Sequence, residues 1–175
     1  MQNTNTTIPS SAASPGATGS HPQRVDYARI APDAYRAQRG LESYIRQSGL
    51  EESLMHLVKV RASYMNGCAY CIDMHTNDAR LAGETEQRLY AIPVWRETPF
   101  FTPRERAALA WAEAVTNIAG GVSDELFELA RAHFTEKELV DLTMVVVVIN
   151  GWNRLSIAFR TPVGSYVPGS SKGAR

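Results

Sequence analysis

Apolar residues through the middle of the chain recur every three or four positions, the interval that lines one face of an α-helix. Tyr35, Leu41, Tyr44 and Ile45 make one such stripe within Asp33–Ser48, and Gly49 supplies the stop. Leu54, Leu57, Val58 and Met65 make the next, within Glu51–Met65, with two glutamates in the first turn where the helix dipole favours them. Asn66-Gly67 ends it, since both residues tolerate the left-handed backbone of a helix terminus. A third helix is expected from Cys68 to Ala82 and a fourth from Glu84 to Ile92. Pro93–Phe101 reads as a loop rich in apolar and aromatic residues, of the kind that packs on the core, on a neighbouring subunit or over a site.

Further on, the start signals sharpen. Thr102-Pro103-Arg104-Glu105 combines a Thr cap, a Pro at the first position and a Glu three residues after the cap, and predicts a helix to about Ile118. Ser123 caps a helix over Asp124–Phe134, and Thr135 to Glu138 repeats the capping box ahead of a last helix over Glu136–Phe159. That helix is apolar nearly all round between Leu139 and Ile149, so it is expected at the centre or in a subunit interface. Only Val145–Val148 looks strand-prone, and its flanks favour helix. The expectation is an all-α, single-domain, oligomeric bundle of six to seven helices over residues 24–164. Residues 1–23, rich in Ser, Thr, Pro and Gly, read as a disordered tail, and 165–175 as a flexible carboxy-terminal one.

Charge narrows the partners. Lys plus Arg and Asp plus Glu each number 18 in 175 residues, a balance that argues against nucleic acid and anionic membrane. The start of the chain lacks the basic and apolar regions of a secretory signal, and the run Met144–Ile149 is too short to span a bilayer. A cytoplasmic location is therefore expected. In that reducing compartment a close cysteine pair reads as catalytic or metal-binding before structural.

The pair is Cys68 and Cys71, the only two cysteines, with His75 four positions after the second. Residues three, four and seven apart share one helix face, so all three fall on one stripe. A thiol is inert until ionised, and lowering its pKa by about 2 units takes roughly 2.7 kcal/mol. The helix N-terminus, the second thiol and His75 can each supply part of that. As the residue four before His75, Cys71 is the better candidate for activation. Its attack on a peroxide gives a sulfenic acid, Cys68 can resolve that to a disulfide, and an external thiol must then restore the pair.

The stretch from Leu57 to His75, with Phe101–Leu109 and Asn150–Leu155, closely resembles the alkylhydroperoxidase D-like proteins of the carboxymuconolactone decarboxylase superfamily, over roughly Val25 to Gly164. The resemblance implies an all-helical subunit in a homo-oligomer, trimer or hexamer. It implies a thiol-dependent peroxidase, or the reductant of a peroxiredoxin partner, with Cys68, Cys71 and His75 at its centre. It implies no bound cofactor beyond an external reductant: a small thiol, a lipoyl-bearing protein or a thioredoxin-like one. Such proteins place a relay glutamate twelve residues before the first cysteine. Here that position is His56, whose unperturbed pKa of about 6.5 suits proton transfer. Three other readings stay open: a redox-sensing oligomer, a zinc module completed by His56 or His133, and a non-redox lactone decarboxylase.

Overall fold

The structure, a computed structural model, describes residues 22–170. Most of the amino-terminal tail and the last five residues lie outside them. The described chain holds eight α-helices, α1 (Tyr27–Ile30), α2 (Pro32–Arg46), α3 (Glu52–Asn66), α4 (Ala69–Leu81), α5 (Glu86–Ala91), α6 (Pro103–Thr116), α7 (Asp124–Arg131) and α8 (Glu136–Phe159). Two 3₁₀ segments, Ile92–Glu97 and Ile118–Gly120, follow α5 and α6. No strand occurs among the described residues.

The caps that punctuate the sequence are made. Thr102 and Thr135 each accept the backbone N–H three residues on, while Glu105 and Glu138 reach back to the cap N–H groups. α8 therefore starts and stops where the pattern placed it. Residues 132–134 break the expected run of the preceding helix, leaving α7 shorter than read. The one-turn α1 went unread because four residues carry no periodicity.

α3 differs from its reading most. It is buried almost all round, from Leu54 to Val60, because it packs against α4, α6 and α8 at once. Met65, placed on the expected stripe, is instead partly exposed. α8 lies against α2, α3 and α6, with Leu142, Val145, Val146, Val148 and Ile149 wholly buried. Counted as a whole, α8 is long and apolar enough to cross a membrane by length and composition alone, which the short run Met144–Ile149 did not suggest. Within this fold 44% of its most apolar window is buried.

The aromatic segment after α5 packs on the core: Ile92, Trp95 and Phe101 are buried with Leu57 and Leu109. Glu113 pins it, accepting from Trp95 Nε1 at 2.7 Å and from the Arg61 guanidinium at 2.8 Å.

One polar cluster ties α3 to α8. Asn66 Nδ2 donates to Asn150 Oδ1 (3.0 Å) and Asn153 Oδ1 (2.8 Å), and Asn153 Nδ2 donates to Ser63 Oγ (3.1 Å). Asn153 is fully buried. Losing it leaves Ser63 Oγ without its donor and Asn66 with Asn150 alone, so Asn153→Ala is expected to destabilise the fold by roughly 1–3 kcal/mol, read from urea unfolding midpoints at constant m.

Candidate functional site

The turn between α3 and α4 is only two residues long. Gly67 adopts the left-handed backbone (φ 70°), and its N–H and that of Cys68 close onto the carbonyls of Tyr64 and Ser63. Cys68 is then the N-cap of α4, and its Sγ accepts the Cys71 N–H at 3.3 Å. The two sulfurs are joined in a disulfide, with Cα atoms 5.3 Å apart. Spacing alone placed the pair on one face at a helix start, and the fold does so.

The two cysteines differ in surroundings. Cys68 is wholly buried beside Ala62 and Ile149. Cys71 is also shielded from bulk water, yet it lines a cavity of about 650 Å³. Into the same cavity come His75 from α4, His56 and Lys59 from α3, and Glu42 from α2. His75 and His56 are 5% and 9% exposed, and no ring nitrogen of either has a hydrogen-bond partner among the described residues. His56 Nε2 lies 3.6 Å from Glu52 Oε1. So three of the four residues singled out by sequence meet at one opening, with Cys68 immediately behind. His133, the other imidazole considered for zinc, sits at the turn before α8, outside the cavity. No group of three or more His, Cys, Asp or Glu side chains is arranged to hold a metal ion among the described residues.

Sequence reasoning missed Glu42 and Lys59. They form an ion pair at 2.6 Å, with side chains 10% and 7% exposed. Burial alone would raise the Glu42 pKa, but the charge and hydrogen bond of Lys59 outweigh it and hold the carboxyl at about 2. His75 is pushed the other way. Burial, then the positive charge of Lys59, holds its pKa well below the usual 6.5, against the pull of Glu42. Burial and Lys59 also lower His56, with Glu52 and Asp78 opposing. Both imidazoles are therefore neutral at pH 7, each with one ring nitrogen open to accept a proton. The signal for Glu42 was a charged residue three positions before Ile45, on the buried face of α2, whereas Leu41 and Tyr44 of the expected stripe are exposed.

Aromatic rings line the same cavity. Trp152 and Tyr35 meet edge to face with centroids 5.6 Å apart, and Tyr27 lies 6.2 Å beyond Tyr35. All three line the cavity, as does Tyr70 between the cysteines.

Glu42→Gln leaves a buried cation without its counter-charge and is expected to cost roughly 3–5 kcal/mol. Adding Lys59→Met should recover most of that in urea unfolding. The depressed histidine pKa values give a second expectation. Unfolded imidazoles bind protons that the folded ones reject, so stability is full above the unfolded pKa of about 6.5 and falls as pH drops below it. The melting temperature should decline from pH 7.5 to 5, and the His75 ring signals in NMR should stay in the neutral form across pH 8 to 6.

The residues 32–114 match the model of the carboxymuconolactone decarboxylase family. The uncharacterized protein YdfG of Bacillus subtilis is 47% identical over 137 residues, 78% of this chain and 93% of that one. Among solved structures, ATU0492 of Agrobacterium tumefaciens, a protein of unknown function proposed to be the antioxidant defence protein AhpD, is 44% identical, with a TM-score of 0.80 over 83% of this chain and all of the other. An uncharacterized peroxidase-related protein from Ralstonia eutropha, with an alkylhydroperoxidase AhpD core, shares the fold at a TM-score of 0.71 and 23% identity, over 79% of this chain and 74% of that one. With its two-residue turn carrying Cys-x-x-Cys into a central helix, the chain belongs to the carboxymuconolactone decarboxylase superfamily, as an alkylhydroperoxidase D-like member.

Proposed function

We propose that the protein is a thiol-dependent peroxidase whose cysteine pair cycles between dithiol and disulfide. The observation that carries the reading is the position of Cys71: bonded to Cys68, facing the cavity, and one helical turn from a buried, neutral His75. The 44% identical ATU0492, proposed to act in antioxidant defence, supports the same direction.

In the reduced protein His75 takes the Cys71 proton. The α4 N-terminus stabilises the resulting thiolate. Cys71 Sγ attacks the outer oxygen of ROOH and the O–O bond breaks. The RO⁻ leaving group takes a proton from the imidazolium, giving ROH, and Cys71 becomes a sulfenic acid. Cys68, as thiolate, attacks Cys71 Sγ and expels hydroxide, which leaves as water once protonated. The disulfide then accepts two electrons and two protons from an external dithiol, either a small thiol, a lipoyl-bearing protein or a thioredoxin-like one. Transfer of those electrons onward to a peroxiredoxin partner uses the same chemistry.

His56 extends the proton path in this reading, and the Glu42–Lys59 pair sets the charge beside it. No bound cofactor takes part, and the reducing cytoplasm is the compartment that regenerates the dithiol. The unpartnered apolar residues Val140, Val147 and Ile157 on α8 support assembly into a homo-oligomer, trimer or hexamer.

The test is turnover with hydrogen peroxide and an organic hydroperoxide under an excess of dithiol. The full chain is expected to turn over and Cys71→Ser to lose all activity. Cys68→Ser, reduced and then freed of dithiol, should consume one equivalent of peroxide and stop, leaving a sulfenic acid that dimedone traps on Cys71. His75→Gln should lower the rate roughly 10²–10⁴-fold, the usual weight of a positioned base. Sustained turnover in Cys71→Ser would remove the reading, and disulfide formation without turnover would favour a redox sensor.

A further inference from the structure

The chain after α8 does not leave the body of the protein. Residues 161–170, whose Pro, Gly and Ser content reads as tail, run back across α4, the helix that carries Cys71 and His75. Three contacts hold them there. The Gly164 N–H donates to Asp73 Oδ2 at 3.1 Å. The Tyr166 hydroxyl donates to the Asp78 carboxylate, 2.8 Å from either oxygen. The Gly169 N–H donates to Asp78 Oδ1 at 3.0 Å. Asp78 is 5% exposed, so these are shielded, charge-assisted bonds of the stronger kind. At Gly169 the backbone is left-handed (φ +81°), and a Cβ there would stand 3.2 Å from Leu81 Cδ2. The segment therefore lies close on the helix.

Tyr166 and Ser170 also line the cavity in front of Cys71, together with Tyr27, Tyr35 and Trp152. The strap thus forms one side of the space a molecule must enter to meet the sulfur. Its one side-chain latch is the Tyr166 hydroxyl on the Asp78 carboxylate, beside the backbone bonds of Gly164 and Gly169.

We propose that the strap, latched by Tyr166 on Asp78, is the specificity-determining wall of the cavity: it sets the breadth of the molecule that can reach Cys71. A narrow oxidant passes under the closed strap. A flat, ring-bearing one needs the latch to yield, and gains contact with the aromatic wall once inside. The inference rests on Cys71 being the reactive sulfur, as in the proposed function, but not on peroxide turnover.

That difference shapes the test. With only two cysteines in the chain, any thiol reagent reports on this site alone. The reduced full-length protein and its Tyr166→Phe and Asp78→Asn variants are each reacted at one pH with iodoacetamide, which is narrow, and with dithiodipyridine, which is flat and aromatic. Iodoacetamide controls for any change in thiolate content. The rate ratio, dithiodipyridine over iodoacetamide, is expected to rise roughly ten- to hundredfold in Tyr166→Phe, the effect of losing one hydrogen bond to a charged group. Asp78→Asn should move it the same way, and if that variant does not fold, Tyr166→Phe decides alone. A ratio unmoved in Tyr166→Phe overturns the proposal, and so does equal acceleration of both reagents. A raised ratio in a protein without peroxide turnover would keep the strap and remove the peroxidase. Turnover with an unmoved ratio would do the reverse.

Discussion

Everything at the cavity depends on how α3 stops and α4 starts. A helix that ends leaves backbone carbonyls unmatched, and one that begins leaves N–H groups unmatched. Gly67 and Cys68 satisfy both sets within two residues, one with a left-handed backbone and the other with a sulfur as cap. Such a short connection leaves the angle between the helices to whatever grips their ends. On the α3 side the grip comes from α8, through Asn150 and Asn153 on the Asn66 amide. Inside a core such bonds are strong, and an unmatched amide is costly, so the cluster permits one arrangement and few others.

The electrostatics of the cavity follow from the same packing. α3 is buried on nearly every face, so Lys59 cannot reach open water. Glu42 answers it from α2 at 2.6 Å. A matched pair of this kind adds little net stability, because both charges lose their hydration. Its effect is local: the Lys59 charge adds to burial, the larger cause, in keeping the two imidazoles in their neutral form. α2 is set at its depth by a close approach to α8. Gln38 Nε2 donates to the Val148 carbonyl at 3.0 Å, beside Gly151, which has no side chain to obstruct it.

Much of this was legible in the chain before folding. Capping boxes at Thr102 and Thr135 are local chemistry, and the spacing of Cys68, Cys71 and His75 is helical geometry, so both survive into the structure. What could not be read depends on contacts distant in sequence. The pairing of Glu42 with Lys59 spans two helices, and nothing in either segment names the other. The burial of α3 on all sides looks in sequence like a narrow stripe, because its Lys59, Ser63 and His56 are polar yet enclosed. Composition misleads most at residues 165–170. Ser, Gly and Pro carry no periodicity, so the docking of Tyr166 on Asp78 left no local trace.

One asymmetry of the sulfurs reaches beyond the site. Cys68 is sealed behind Ala62 and Ile149, and only Cys71 looks out on the cavity. A two-thiol centre of that shape offers one sulfur to the cavity. Under the proposed peroxidase reading, whatever delivers oxidising equivalents and whatever removes them would call in turn at that sulfur. The double-displacement, ping-pong order common to covalent catalysts would then follow from which sulfur the helix turn hides.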